Sequence, residues 1–454
     1  MKTGMTKKSL LLLAMFVAVA CKSLAQDTTT LAGVVTLKQC IEIAIKNNLQ
    51  INESDFTAQN NVVYVQQAKG YMLPFISGNI GHNFSQGRVI NSANNGYINQ
   101  SLNYGNYNLS GTEYLWNAGS IQNGIKASKL GYEASKMDLQ QQKDNITVST
   151  ILAYLQVLSN KEQLGAAMRQ ADATRAQVKR LLVQDSAGAV PNPATLTDLK
   201  GALAGSELSI VNLQNVLESS KVALVQYLNL PYSTFDLLPL DDNLTPIIYD
   251  ASSEIIYQQA LQNLAIIKSA HFKTLSAIKS FKSAQGQLWP TLTFGAGAAS
   301  NYSSAATSTT GGKVPFGQQL SNNFNTSFGL GLSIPILNGL AAKSRVDLAR
   351  IAEKKTSFEE NSVKTALQQN VKQAYINMES SFNRYQKLEE QVKAYQESFR
   401  VAQVRFDAGL YTSVDYIIAK NYVDQANINL IAVKYDYILR TKILDYYQGR
   451  LSLP

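Results

Sequence analysis

The chain has 454 residues, of which 45% are hydrophobic and only 16% charged. That is ample for a sizeable core and unlike a disordered or acidic solvating chain. Its 41 basic and 32 acidic residues give a formal charge of +9 without a Lys/Arg cluster to concentrate it, so nucleic acid is not an expected partner. With two histidines (His82 and His271), two cysteines and no HExxH, nucleophile elbow or phosphate-binding glycine loop, the composition also argues against an enzyme and against a metal or other cofactor.

Lys2, Lys7 and Lys8 precede an apolar run from Leu10 to Ala20. At roughly a dozen residues it is too short to span a bilayer and the right size for the core of a secretory signal. Ser23-Leu24-Ala25 before Gln26 is an ordinary cleavage site, giving an expected signal peptide over residues 1–25. Ala18-Val19-Ala20-Cys21 is a competing, weaker lipobox, with Ala where lipoprotein signals usually carry Leu. Either route exports the chain. Cleavage after Ala25 removes four lysines, so +9 becomes +5 (41 − 4 − 32), and leaves Cys40 alone, which excludes an intrachain disulfide and a Cys-based metal site. No later run of 18 apolar residues occurs, so a helical anchor is excluded while a β-barrel, whose strands alternate, is not.

The rest of the chain repeats with a period near 216 to 221 residues. Ala44, Asn48-Leu49 and Ile51 return as Ala260, Asn263-Leu264 and Ile266; Ala68-Lys69-Gly70-Tyr71-Met72-Leu73-Pro74 returns as Ala284-Gln285-Gly286-Gln287-Leu288-Trp289-Pro290. Leu115-Trp116-Asn117-Ala118 returns as Ile336-Leu337-Asn338-Gly339, Ala153-Tyr154 as Ala374-Tyr375, and Ala187-Gly188 as Ala408-Gly409. So long a period means two copies of a large unit rather than a solenoid. The expected division is a first repeat over 26–230, a linker over 231–252 and a second repeat over 253–454.

Each copy reads helix, strand, strand, very long helix, turn, helix. The first helix is predicted from about Leu37 to Leu73 and its counterpart from about Ser253 to Trp289, each stopped by a proline. Then Ile76, Ile80 and Phe84 alternate with Ser77, Asn79, Gly81 and Asn83, and a less regular return strand covers about Tyr104 to Leu115. In the second copy Leu292, Phe294, Ala296 and Ala298 alternate with Thr293, Gly295 and Gly297. On the return, Phe324, Thr326, Phe328, Leu330, Leu332 and Ile334 alternate with Asn325, Ser327, Gly329, Gly331 and Ser333. Runs of ten to twelve residues with one apolar and one small polar face match transmembrane barrel strands. Soluble hairpins with one solvated face are the competing reading, and repetition at the same two positions of a duplicated unit weighs against it. The stretches 85–103 and 303–322, rich in Gly, Ser, Asn and Thr, read as extracellular loops. Trp116 and Trp289 fall at junctions of strand and helix, with Tyr71 and Tyr114 beside them, where amphipathic aromatics mark a membrane interface unless they serve as ordinary core.

From Val363, apolar residues recur at Leu367, Val371, Tyr375, Met378, Phe382, Tyr385, Leu388, Val392, Tyr395, Phe399, Ala402 and Phe406, close to the 3.6-residue period of a nearly straight helix. No proline interrupts 340–408 or 118–187; about 70 residues at roughly 1.5 Å each reach about 100 Å, more than any membrane requires. Gly188 and Gly409 suit left-handed C-caps, after which a second helix folds back. Thr195 with Asp198, and Thr412 with Asp415, read as N-terminal caps; the same acids are candidates for the lining of a narrow tip.

With the duplication, the strand pairs and the paired tips in place, the chain resembles the TolC family of outer-membrane efflux proteins along nearly all of its mature length. The most specific marks are Asp407-Ala408-Gly409-Leu410 followed by Val414-Asp415, and Ile334-Pro335-Ile336-Leu337-Asn338-Gly339. The resemblance implies a mainly helical homotrimer with a twelve-stranded β-barrel continuous with a twelve-helix periplasmic α-barrel. It also implies a passive exit duct in the outer membrane that works with a periplasmic adaptor (membrane fusion) protein and an inner-membrane transporter. Adaptor docking would fall at the tips, Gly188, Ala189, Gly409, Leu410 and Tyr411, and a constriction at Asp415 and Asp198. Some members carry an acid pair spaced three apart; here the second position is Ile418. Four strands cannot close a barrel, and an open edge in lipid leaves backbone groups unsatisfied, whereas three chains supply twelve (3 × 4). Small-molecule efflux and type I protein secretion share this architecture, and a secreted coiled-coil tether would leave the alternating strands without purpose.

Overall fold

The computed structural model describes residues 33–90, 97–186, 188, 193–232, 235–239 and 246–450. The expected signal peptide over 1–25 with Cys21, and the tip residue Ala189, lie outside these residues. In chain order the elements are β1 (Gly33–Val35), α1 (Leu37–Asn47), α2 (Leu49–Gly70), β2 (Phe75–Ile90), β3 (Tyr97–Trp116), α3 (Ser120–Ser186), α4 (Pro193–Leu228) and β4 (Phe235–Leu237). They continue with α5 (Ser253–Asn263), α6 (Ala265–Gly286), β5 (Thr291–Ser303), α7 (Phe316–Asn322), β6 (Asn325–Ser333), α8 (Ala341–Asp407) and α9 (Ser413–Tyr447). The fold is mainly helical, and the duplication is visible element by element. The α1–α2 pair recurs as α5–α6 at an offset of 216 (253 − 37 and 265 − 49), and the 67-residue α3 recurs as the 67-residue α8 at 221 (341 − 120).

The helix predicted over Leu37–Leu73 is two helices. Asn48 adopts an extended conformation, caps α1 by donating its N–H to the Ala44 carbonyl, and accepts the N–H of Gln50 on its side chain at 2.9 Å, so one residue ends α1 and starts α2. Leu264 makes the same break by donating to Ala260, which places Asn48 opposite Leu264 rather than Asn263. Thr36 opens α1 with a capping box completed by Gln39, and Ser252 opens α5 at the same offset. The helices after the strands begin alike: Ala118-Gly119 and Gly339-Leu340 take consecutive positive φ angles (50°, 75° and 60°, 64°), and the Ser120 and Ala341 N–H groups bond back to the Asn117 and Asn338 carbonyls.

Backbone packing divides the chain into two units, and both draw on both copies: one from Met1–Glu53, Gln140–Leu264 and Ala366–Pro454, the other from Ser54–Leu139 and Ala265–Thr365. The first holds a parallel pair that the sequence did not reveal, β1 with β4, paired Val34 to Asp236. The Tyr154 hydroxyl, fully buried, lies 2.6 Å from the Leu238 carbonyl and 3.2 Å from that of Val35, pinning the pair to α3. The predicted stripe on α8 is buried or half-buried throughout 363–406. Its rings pack against those of α9: Phe382 with Tyr437 at 5.5 Å, Tyr395 with Tyr422 at 5.3 Å and Phe399 with Tyr416 at 5.4 Å, the second pair stacked and the others tilted.

The second unit carries an open antiparallel sheet in the order β2-β3-β5-β6. Its strands are longer than expected in the first copy, because β2 runs to Ile90 and β3 starts at Tyr97, so most of the stretch read as a loop over 85–103 is a paired ladder. In the second copy the stretch between strands contains α7 and a bridge from Thr307 to Lys313.

Candidate functional site: a two-faced sheet and a paired helical tip

Register assigns each side chain in the sheet to a face, since residues directly paired across strands share one. One face carries the rows Ile76, Gly111, Ala296, Phe328; Ile80, Tyr107, Ser300; and Trp116, Leu292, Leu332. The other carries Ser77, Ser110, Gly297, Ser327; Asn79, Asn108, Ala299, Asn325; and Thr112, Gly295, Gly329. The apolar face is open in the single chain, with Phe328 83% exposed, and the polar face is bound by hydroxyls such as the Ser77–Ser110 pair at 3.2 Å. A bulge between Tyr114 and Trp116 separates two of the expected interface aromatics. Trp116 joins the apolar row of Leu292, whereas Tyr114 pairs with Thr293 in the polar row of Gly331. Tyr71 and Trp289, in the turns between helix and strand, are exposed. His82 sits in the sheet beside Tyr302, and His271 on α6 pairs with Glu360 at 3.3 Å; no metal-binding cluster occurs among the described residues.

The first unit contains the ends of α3 and α8 and the starts of α4 and α9. Gly188 (φ 67°) and Gly409 (φ 74°) are both left-handed, where a side chain would be strained. After α8 the Gly409 N–H bonds the Phe406 carbonyl at 3.0 Å and the Leu410 N–H bonds that of Arg405 at 2.8 Å, the double closure of a Schellman turn. Leu410 then stands 75% exposed, while the Tyr411 hydroxyl accepts from Arg405 at 2.9 Å and its ring lies under the same guanidinium.

Thr412 and Asp415 form the expected box. The Thr412 hydroxyl accepts the Asp415 N–H at 3.2 Å, and the Asp415 carboxylate accepts the Thr412 hydroxyl at 2.7 Å and its N–H at 3.0 Å. These bonds, the side-chain one foremost, hold the exposed Asp415 carboxyl below the usual carboxylate range. Thr195 and Asp198 do not repeat this. Because α4 already begins at Pro193, both lie inside its first turns, and Asp198 instead accepts the Ser413 hydroxyl at 2.6 Å, joining the start of α4 to the start of α9.

Beneath these contacts Val178, Leu181, Leu199 and Tyr416 form a buried cluster, flanked by Leu196, Leu203, Phe399, Phe406 and Ile417. Arg180 pairs with Asp407 across it. Lys420, buried, pairs with Asp424, whose carboxyl burial pushes up against the pull of that lysine. The first pair joins residues 227 apart and leaves no local signal; the second is an i,i+4 spacing that could have been read.

Residues 256–445 match the family model described as outer membrane efflux protein. The chain is 21% identical over 429 residues to the outer membrane protein TolC of Salmonella enteritidis, covering 93% of this chain and 84% of that protein. Among solved structures it superposes on the outer membrane protein VceC of Vibrio cholerae with a TM-score of 0.75 (14% identity, 91% of this chain and 96% of that one). It superposes on the Campylobacter jejuni CmeC outer membrane channel at 0.70 (16% identity, 94% and 91%). At these identities the structural likeness shows the fold. Taken with the duplicated helices and the two-faced sheet, the chain is similar along nearly all of its length to TolC-like outer-membrane efflux proteins, and its residues 256–445 match their family model.

Proposed function

We propose that the chain is one subunit of a homotrimeric exit duct in which three four-stranded sheets close a twelve-stranded barrel and the long helices of three copies form a twelve-helix sheath. The observation that carries this is the sheet with one apolar face, one small polar face and unpaired edges at β2 and β6. In lipid each unsatisfied backbone group costs several kcal/mol, so such edges favour closure by further copies. Repeats over 26–230 and 253–454, joined by 231–252, would then each contribute two strands and a helical hairpin per chain. Trp116, Trp289 and Tyr71 suit the interface of the apolar band; Tyr114, on the polar row, suits the lumen side.

The duct is passive, and cargo is driven by an inner-membrane transporter through a periplasmic adaptor. Gly188, Ala189, Gly409, Leu410 and Tyr411 are the proposed docking tip. Leu410, Val414, Ile418 and Tyr422, spaced four apart and all exposed, give that tip an apolar stripe of the kind a partner helix covers. Small molecules are the favoured cargo, with type I protein secretion as the second reading. Asp415 is the proposed constriction residue, because it is exposed and held ionised, so three copies near an axis would form an anionic ring. In planar bilayers, Asp415→Asn is expected to lower cation selectivity and block by multivalent cations, with Asp198→Asn, tied to Ser413, as the matched control. Unchanged selectivity in Asp415→Asn would leave Asp415 as a helix cap only.

A further inference from the structure

At the end of the sheet away from the long helices, α7 folds over the apolar face. Phe316 meets Tyr302 edge-on with ring centroids 5.0 Å apart and Tyr107 at 6.1 Å, and the Leu320 carbonyl accepts the Ser300 hydroxyl at 2.8 Å. The buried Gln319 fixes the helix by accepting the Ser303 N–H at 2.9 Å and donating to the Ser303 carbonyl at 3.0 Å. Leu292 and Tyr302 share this face, ten residues apart (302 − 292). At about 3.3 Å per residue and a tilt near 40° this is about 25 Å of height, the thickness of an outer-membrane apolar band. Phe316 and Tyr302 therefore sit at the far rim of that band.

Beyond the rim the charge is of one sign. Arg88 lies six positions past His82 (88 − 82), which shares a row with Tyr302 through Gly105, and its guanidinium stacks 4.3 Å over the Tyr97 ring. Lys313 bridges to Thr307, five positions past Tyr302 (307 − 302), and is exposed. The sequence from Phe75 to Trp116 and from Thr291 to Ser333 contains a single carboxylate, Glu113, at the opposite end in the row of Phe294. Two cations on the far side of an apolar rim, with no acid at this end of these strands or in their connections to pair them, complement an anionic interface.

We propose that this rim binds phosphate-bearing lipid headgroups of the outer leaflet. Arg88 and Lys313 take the phosphates, and the aromatic pair Tyr302 and Phe316 sits at the boundary of headgroup and acyl chain, with Tyr97 further out beneath Arg88. The site rests on the reading of the apolar face as lipid-facing.

The test reconstitutes the full chain into phosphatidylcholine vesicles containing a minority of phosphatidylglycerol, records conductance, then extracts the protein gently and counts co-purifying lipids by mass spectrometry. The wild-type protein is expected to retain phosphatidylglycerol above its share in the vesicle, less so at high salt. R88Q/K313Q is expected to conduct normally and to lose about fivefold of that enrichment for each cation removed, while R88K/K313R restores it. Equal enrichment in the wild type and R88Q/K313Q, or none in a wild type that conducts, overturns the headgroup site alone. Failure of the wild type to insert and conduct overturns the lipid-facing reading and the site with it.

Discussion

Thr412 and Asp415 each satisfy a backbone N–H that the start of α9 would otherwise leave without a partner, so the two side chains act as one unit. Thr412→Ala removes both the cap oxygen and the hydroxyl bonded to Asp415, and is expected to cost about 1 kcal/mol, read as earlier loss of helical signal on heating. The carboxyl is held below its ordinary value of 3.8. Its stabilising contribution is therefore complete above that value and is lost as pH falls through the lower folded one. A pH titration of the same signal should show the gap between wild type and Asp415→Asn closing only in that acid window; a gap that closes near neutrality would contradict the assignment. This box was legible because its partners lie three residues apart. The same spacing at Thr195 and Asp198 misled, because Pro193 is an equally good first residue and starts α4 three positions before the Leu196 that a Thr195 cap would place first (196 − 193). The partner that Asp198 takes instead, Ser413, lies 215 residues away, and no local pattern encodes it.

The strands show which part of a sequence period survives into structure. Alternation on β6 maps without slip onto the observed rows, since one residue of error would have moved every apolar side chain to the polar face. Their ends were not legible. A polar face built from Ser, Asn, Thr and Gly has the composition of a loop, so Ser85–Ile90 and Tyr97–Asn103 read as connection although they are paired. Nor does the period foretell the bulge at Leu115, which turns Trp116 to one face and leaves Tyr114 on the other. The break at Asn48 carried no proline, and its counterpart at Leu264 has no capping side chain at all, so no residue type marked the pair of breaks. Register yields a paired expectation: Phe328→Arg, on the apolar face, should destabilise the membrane-inserted protein by roughly 2–4 kcal/mol, whereas Ser327→Arg, next to it on the polar face, should alter conductance while leaving stability nearly unchanged. Heat resistance in detergent and single-channel current measure the two separately. Equal loss of stability would place both residues in one environment and contradict the faces.

At the scale of the whole molecule the backbone groups that matter are those of β2 and β6, the two open edges of the four-stranded sheet among the described residues. Within one chain they are separated by three strand spacings, about 14 Å, so the chain cannot pair them itself. In a closed barrel β6 of one copy lies beside β2 of the next, about 4.8 Å away. Thiols can report the difference, because the single cysteine of the described residues is silent: Cys40 is fully buried and burial pushes its thiol up to about 12. A cysteine at Ser327 on β6 should be combined in turn with one at Ser77, Asn79, Gly81 or Asn83 on the same face of β2, since the stagger between copies selects which pair aligns. At least one combination is expected to give covalent dimers and trimers with a short thiol crosslinker, and each single cysteine only monomers. Monomers from all four combinations, in protein that inserts and conducts, would mean that β2 and β6 do not meet and that the barrel is closed in some other way.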